Sequence, residues 1–264
     1  MVRSEDDKEQ LYYGQNNFAD EESHKKRGLI ICRGGGDLAT GIVHRLHRSG
    51  FHVLILETGH PAAIRRQVSF SEAVYDKTTT VEGVTAQLIG PVHALNGNGD
   101  RDKNALVSEI DAAFSCGNIP LLIDQRGDSI RLLKPDVVID AIIAKKNLGT
   151  TIDMAPLVIG IGPGFTAGID VDLVIESMRG HHLARIITDG SALADTGVPG
   201  NIGGYTKERV IHAQAAGVIE NIRQIGDIVA QGDEIARIYT DDDRRAGAKA
   251  AQMDRAVTEN RGYV

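Results

Sequence analysis

Gly34, Gly36 and Ala39 fit the spacing G-x-G-x-x-[G/A]. In that pattern the first glycine permits a tight turn after a strand. The second lets the backbone approach a pyrophosphate, and the small third residue lets the next helix pack close to the strand. Gly35, Asp37 and Leu38 complete the loop. The helix that follows would turn its free N–H groups and positive dipole end toward a phosphate. Glu57 lies 23 residues after Gly34, near the ~20 at which an acidic residue contacts a ribose 2′-hydroxyl. An acid there disfavours a 2′-phosphate, so the unit points to an NAD-like or adenosine-type ligand rather than NADP. Two considerations pull the other way. The same glycines could build a turn and bind nothing. Asp37 also sets a carboxylate among the phosphate-facing donors, which repels phosphate unless it caps the helix.

A second glycine-rich turn runs from Gly162 through Gly164 and Thr166 to Gly168. Its N–H groups could form an anion nest, or it could be a tight connection between strands. Asp170, Asp172, Glu176 and His181 lie close together in sequence. They match no metal-ligand spacing, so no metal is expected. Asp124, Asp140 and Asp153 each lie at or after the end of an apolar run. Each could be a ribose contact, a general base or a turn residue, and the turn reading is favoured for any one alone. No Ser-His-Asp spacing or nucleophile elbow is present, and Cys32 has no obvious activating base. No catalytic residue is assigned.

The elements around these residues alternate. Residues 28–32 are an apolar strand, 38–49 a helix with Leu38, Ile42, Val43 and Leu46 at helical spacing, and Gly50 its C-cap. Residues 52–56 are a second strand, apolar throughout as one buried on both faces should be. Residues 62–70 suggest a short helix carrying Arg65 and Arg66, and 80–89 look extended. Residues 96–102 are a loop by composition. Residues 103–116 predict a helix, 120–124 and 135–139 strands, and 140–146 an alanine-rich helical stretch. Residues 157–162, 170–176 and 185–188 are extended. Strands alternating with helices predict an α/β fold with a Rossmann-like, mostly parallel sheet. From residue 189 glycines punctuate short apolar pieces, with strands expected at 218–222, 228–230 and 235–239. The repeated Gly-Asp turns at 226–227 and 232–233 resemble the half-barrels of biotinyl/lipoyl-type domains. A carrier domain needs a lysine on an exposed hairpin, and residues 218–239 contain none. An interaction or lid module fits better. The division is therefore a flexible tail at 1–27, a Rossmann-like domain at 28–188, a small barrel-like β-module at 189–240 and a tail at 241–264.

Composition narrows the function classes. A formal charge of −7 over 264 residues lacks the clustered cations of a nucleic-acid binder. No tryptophan and 4% aromatics leave no base-stacking platform. The two cysteines, Cys32 and Cys116, form no CxxC pair, which fits a reducing cytoplasm. No apolar run approaches the ~18 residues of a membrane span, and the N-terminus lacks the apolar stretch of a secretory signal. The oligomeric state is not legible.

Several segments carry a family resemblance. They are RGGGDLATGIVHRLHRSGFHVLILE, PAAIRRQVSFSEAVYDKTTTVEGV, PDVVIDAIIAKKNLGTTIDMAPLVIGIGPGFTAGIDVDLVIESMRGHHLARII and DTGVPGNIGGYTKERV. Together they resemble the YqeB-type family of selenium-dependent molybdenum hydroxylase system proteins. The likeness covers residues 27–238 and departs at Cys32 and Ala184, where an aliphatic residue and a glycine are expected. It implies a cytoplasmic accessory protein whose partners are a molybdenum hydroxylase or its maturation factors. Those enzymes use a molybdopterin dinucleotide, so the glycine loop would grip that cofactor or an NAD-like dinucleotide. Two alternatives stand beside it: an NAD-dependent oxidoreductase acting on a small metabolite, and a non-catalytic docking protein.

Overall fold

The computed structural model describes residues 28–91, 103–195, 204 and 211–240. The expected tails and the loop at 96–102 lie outside the described residues. In chain order the first elements are β1 (Leu29–Arg33), α1 (Asp37–Arg48) and β2 (His52–Glu57). Two 3-10 turns (Arg66–Val68, Phe70–Glu72) and α2 (Ala73–Asp76) lead to β3 (Thr78–Val81) and β4 (Val84–Pro91). Next come α3 (Lys103–Ser115), β5 (Ile119–Ile123), α4 (Asp128–Leu133), β6 (Val137–Asp140) and β7 (Leu157–Ile161). The chain continues through β8 (Thr166–Ala167), β9 (Leu173–Ile175), β10 (Ile186–Ile187) and β11 (Gly190–Ser191) to β12 (Val218–Asn221) and β13 (Ala236–Tyr239).

Nine strands make one sheet in the order β10-β9-β7-β6-β1-β2-β5-β4-β3. The strands from β9 across to β4 are parallel, and β10 and β3 close the edges antiparallel. This is a mixed α/β protein with a large, mostly parallel central sheet. Strand side chains alternate between two cores, as the pleat requires. Ile30 and Cys32 of β1 and Val53 and Ile55 of β2 meet Ala39 and Val43 of α1 together with Phe70 and Ala73. Ile31, Leu54 and Leu56 point the other way, to Leu106, Ile110 and Phe114 of α3 and Ile130 of α4. The chain runs from β1 out to β2, then returns to lay β6 on β1's other side. Strand order therefore reverses between β1 and β6, and open sheets bind ligands in the crevice at such a point.

Three expectations change. Residues 62–70 form no α-helix but one 3-10 turn, in which Val68 and Ser69 N–H donate to the Arg65 and Arg66 carbonyls. The chain then ties to α1 and the glycine loop, with Phe70 N–H donating to Thr40 Oγ1 (2.8 Å) and Ser71 N–H to the Gly35 carbonyl (2.8 Å). Residues 141–146 are irregular. Asp140 Oδ1 accepts from Ile142 N–H (3.1 Å), a local bond that competes with helix, and Ile143 and Lys145 sit at φ 58° and 64°. In the C-terminal module the described residues hold one antiparallel ribbon, β12 with β13. Residues 228–230 are not a strand, and Ile228 is 97% exposed. Its turns do repeat: Asp227 Oδ2 accepts from Gln224 N–H (2.8 Å) and Asp233 Oδ2 from Ala230 N–H (3.0 Å). Among the described residues no helix is long and apolar enough to cross a membrane.

Candidate ligand cleft

A cleft of about 1480 Å³ opens beyond the C-terminal ends of the parallel strands. Its floor and walls come from the loops after β1, β2, β5, β6, β7 and β9. The glycine loop forms one wall. Gly34, at φ +97°, passes so near the next loop that a Cβ would sit 3.0 Å from the Ala141 carbonyl oxygen. Gly35 is buried and pinned at both polar groups. Its N–H donates to Glu57 Oε1 (2.8 Å), and its carbonyl accepts from Ser71 N–H and from Thr40 Oγ1 (3.1 Å). Gly36 is different. Its backbone is ordinary (φ −64°), and a Cβ there would meet nothing within 4 Å. No side chain caps α1 at this end, so the first N–H groups of a twelve-residue helix face the cleft.

Glu57 lines the cleft but is spent on the loop. Its Oε1 holds Gly35 and its Oε2 accepts from Thr58 N–H (2.6 Å). Burial pushes its carboxyl above the ordinary value, and the two backbone donors partly offset that. Asp37 does not cap α1. Its carboxylate pairs with Arg65, and both residues line the cleft. Leu38 lines it too, 53% exposed, and Ile64, Leu148 and Leu193 add further exposed apolar surface. Ser71 lies beside Gly35 in the wall, fully buried, and its hydroxyl has no hydrogen-bond partner.

The second glycine turn is placed otherwise. Only Pro163 of it lines the cleft. At Gly162 a Cβ would meet Ser177 Oγ at 2.5 Å, and at Gly164 it would meet the Lys146 backbone at 2.7 Å. Thr166 lies in β8, paired to Ser191, and its N–H goes to Asp170 Oδ2 (2.8 Å). The carboxylates near it are likewise engaged: Asp172 accepts from Val158 N–H (2.7 Å), and Glu176 from Met178 N–H (2.7 Å) and Leu193 N–H (2.8 Å). No group of three potential metal ligands gathers among the described residues.

Asp124 accepts from the N–H groups of Gly127 (2.9 Å), Asp128 (3.0 Å) and Ser129 (2.8 Å) and from the Ser129 hydroxyl (2.6 Å), so it caps α4. Asp140 is buried against Arg33 (3.4 Å) and takes the Thr150 hydroxyl (2.5 Å), while Thr150 also bonds the guanidinium. That triad braces the cleft floor across β1, β6 and the loop after β6. Asp153 is exposed beside Thr151. Burial first, then the Asp140 and Glu57 carboxylates, pushes the Cys32 thiol far up, so it is no nucleophile. Arg65, Ser71, Arg126 and Arg179 also line the cleft. The sequence places Arg65 on a short helix and gives Ser71, Arg126 and Arg179 no role; the loops after β2, β5 and β9 bring them to one cleft.

Fold and cleft together define an open-sheet α/β protein with a crevice where strand order reverses. Over 210 residues, 80% of its length, the chain is 45% identical to a protein of Escherichia coli (strain K12) named "Uncharacterized protein YqeB". The chain belongs to the YqeB-type family. It spans about a third (36%) of that relative's length. No family model and no solved structure matches it.

Proposed function

We propose that this chain binds a dinucleotide or similar phosphate-bearing cofactor in the cleft, as an accessory protein in maturation of selenium-dependent molybdenum hydroxylases. The observation that carries the binding is Gly36. It stands at the uncapped head of α1 with open space where a side chain would be. A pyrophosphate seated there would meet the helix N–H groups, and the exposed apolar residues around it suit a heterocyclic base. The cleft carboxylates Glu57 and Asp124 are tied to backbone donors, which favours holding a cofactor over transferring protons. The biological role follows the family resemblance, with a hydroxylase or a maturation factor as partner and the cytoplasm as site. The ligand is NAD-like or a molybdopterin dinucleotide.

Gly36→Asp tests this cleanly. The Gly36 backbone suits any residue and nothing opposes a side chain, so the variant should melt within about 2 °C of wild type. It should bind NAD at least ~30-fold more weakly in calorimetry. Undiminished binding by a folded Gly36→Asp protein would sink the proposal.

A further inference from the structure

We infer that Arg65 is the clamp for the ligand's phosphate and that Asp37 is a built-in stand-in for that phosphate. This rests on the binding role proposed above and names the residues that gate it. Asp37 is the first residue of α1, so its carboxylate lies next to the donors a phosphate would use. It does not bond those donors. It pairs instead with Arg65, which reaches back from the loop after β2. The pair is open to solvent, with 62% of the Arg65 side chain exposed and 30% of Asp37's. Exposed pairs of this kind are weak and easily exchanged. A phosphate has more charge and more acceptors than a carboxylate, and guanidinium binds it with two parallel hydrogen bonds.

The exchange resolves the conflict that Asp37 creates. A carboxylate at the helix head repels a phosphate, but a guanidinium already at that spot can turn from one anion to the other. A second, independent feature of the same wall points to an arriving ligand. The buried Ser71 hydroxyl lacks any partner although buried polar groups nearly always have one. It lies beside Gly35, whose carbonyl its own N–H holds. The device selects charge: a neutral nucleoside offers Arg65 nothing and cannot displace Asp37.

Calorimetry with NAD, inorganic pyrophosphate and adenosine tests this on the full chain. Asp37→Asn should tighten NAD and pyrophosphate roughly tenfold and leave adenosine unchanged. Arg65→Ala should weaken the two phosphate-bearing probes roughly tenfold, and Arg65→Lys should weaken them less. In the Arg65→Ala background, Asp37→Asn should gain clearly less than tenfold, because part of its gain comes through the freed guanidinium. Arg65→Ala binding pyrophosphate and NAD like wild type overturns the clamp, as does Asp37→Asn binding them more weakly. If wild type binds none of the probes, the cleft's binding role fails and the clamp falls with it. If wild type binds and the variants do not differ from it, the clamp alone fails.

Discussion

Glu176 joins two walls of the cleft with one carboxylate. It takes an N–H from Met178, just after β9, and another from Leu193, in the segment after β11. Burial alone would push this carboxyl up. The N–H donors of Leu193, Met178 and Ser177, helped by the charge of His182, outweigh it and hold the group below its ordinary 4.5. The sign follows. A carboxylate depressed in the fold stabilises fully above its unfolded value, and that stability is lost as pH falls through the lower folded value. Glu176→Gln keeps one acceptor oxygen and loses the other with the charge. It should cost about 2 kcal/mol at pH 7, and the deficit should shrink below about pH 4. Guanidinium denaturation at pH 7 and pH 3.5 measures both, and an equal deficit at the two values would show that charge is not what the backbone donors recognise. Glu57 works in the opposite sense. Burial raises its carboxyl, so the stability tied to its protonation fades as pH rises above the ordinary value.

Asp124 shows how an element can depend on a residue outside it. α4 has Gly127, at φ +78°, where a cap residue would stand, and that glycine has no side chain to offer. Asp124 supplies the cap from the end of β5, with four donors on its two oxygens. Removing it leaves buried donors open, so Asp124→Ala should cost roughly 3 kcal/mol, and Asp124→Asn about 1 kcal/mol. Urea unfolding checks the pair; a loss under about 0.5 kcal/mol for the alanine variant would mean the cap is idle. The same element marks where the sequence is legible and where it is not. The strands and helices α1 and α3 are apolar at their own period, so β1, α1 and β2 stand out within thirty residues of chain. α4 is six residues long with a cap donated from a distance, and it has no period long enough to read. The stretch after Asp140 has a helical composition that one Asx bond overrides. Spacing alone singles out Gly34, Gly36 and Glu57, and all three line the cleft. Glu57's task is not legible that way, because spacing says that an acid stands near the loop but not that both its oxygens are already taken. Ser71 escapes notice for a different reason: nothing local marks it, and it reaches the glycine loop only because residues 66–76 fold across the α1 face of the sheet. Arg65 is read from the sequence only as a residue of a short helix, and its pairing with Asp37 from the loop after β2 is not legible there.

At the scale of the whole molecule, the binding role proposed above makes a prediction about the length of the ligand. The loops that line it follow β9, β7, β6, β1, β2 and β5, adjacent strands in that order. Five spacings between adjacent strands amount to ~24 Å, well beyond one nucleotide and suited to an extended dinucleotide. Charge is spread along it as well, with Arg65 after β2, Arg126 after β5 and Arg179 after β9. A ligand that fills only the α1 end leaves the far wall unused. NAD should therefore bind at least ~10-fold more tightly than AMP, which is about 1.4 kcal/mol. At a concentration of 100 times its Kd, NAD should add about 2.7 kcal/mol to stability. That raises the Tm of a chain this size by roughly 5–10 °C, and AMP at the same concentration should give a shift smaller by several degrees. Arg65, Arg126 and Arg179 are exposed, so both shifts should shrink at 0.5 M KCl, where charges more than ~5 Å apart are screened. Melting curves with each nucleotide at low and high salt decide it. Equal shifts for AMP and NAD would confine binding to the α1 end and leave the remainder of the cleft to something other than the second half of a dinucleotide.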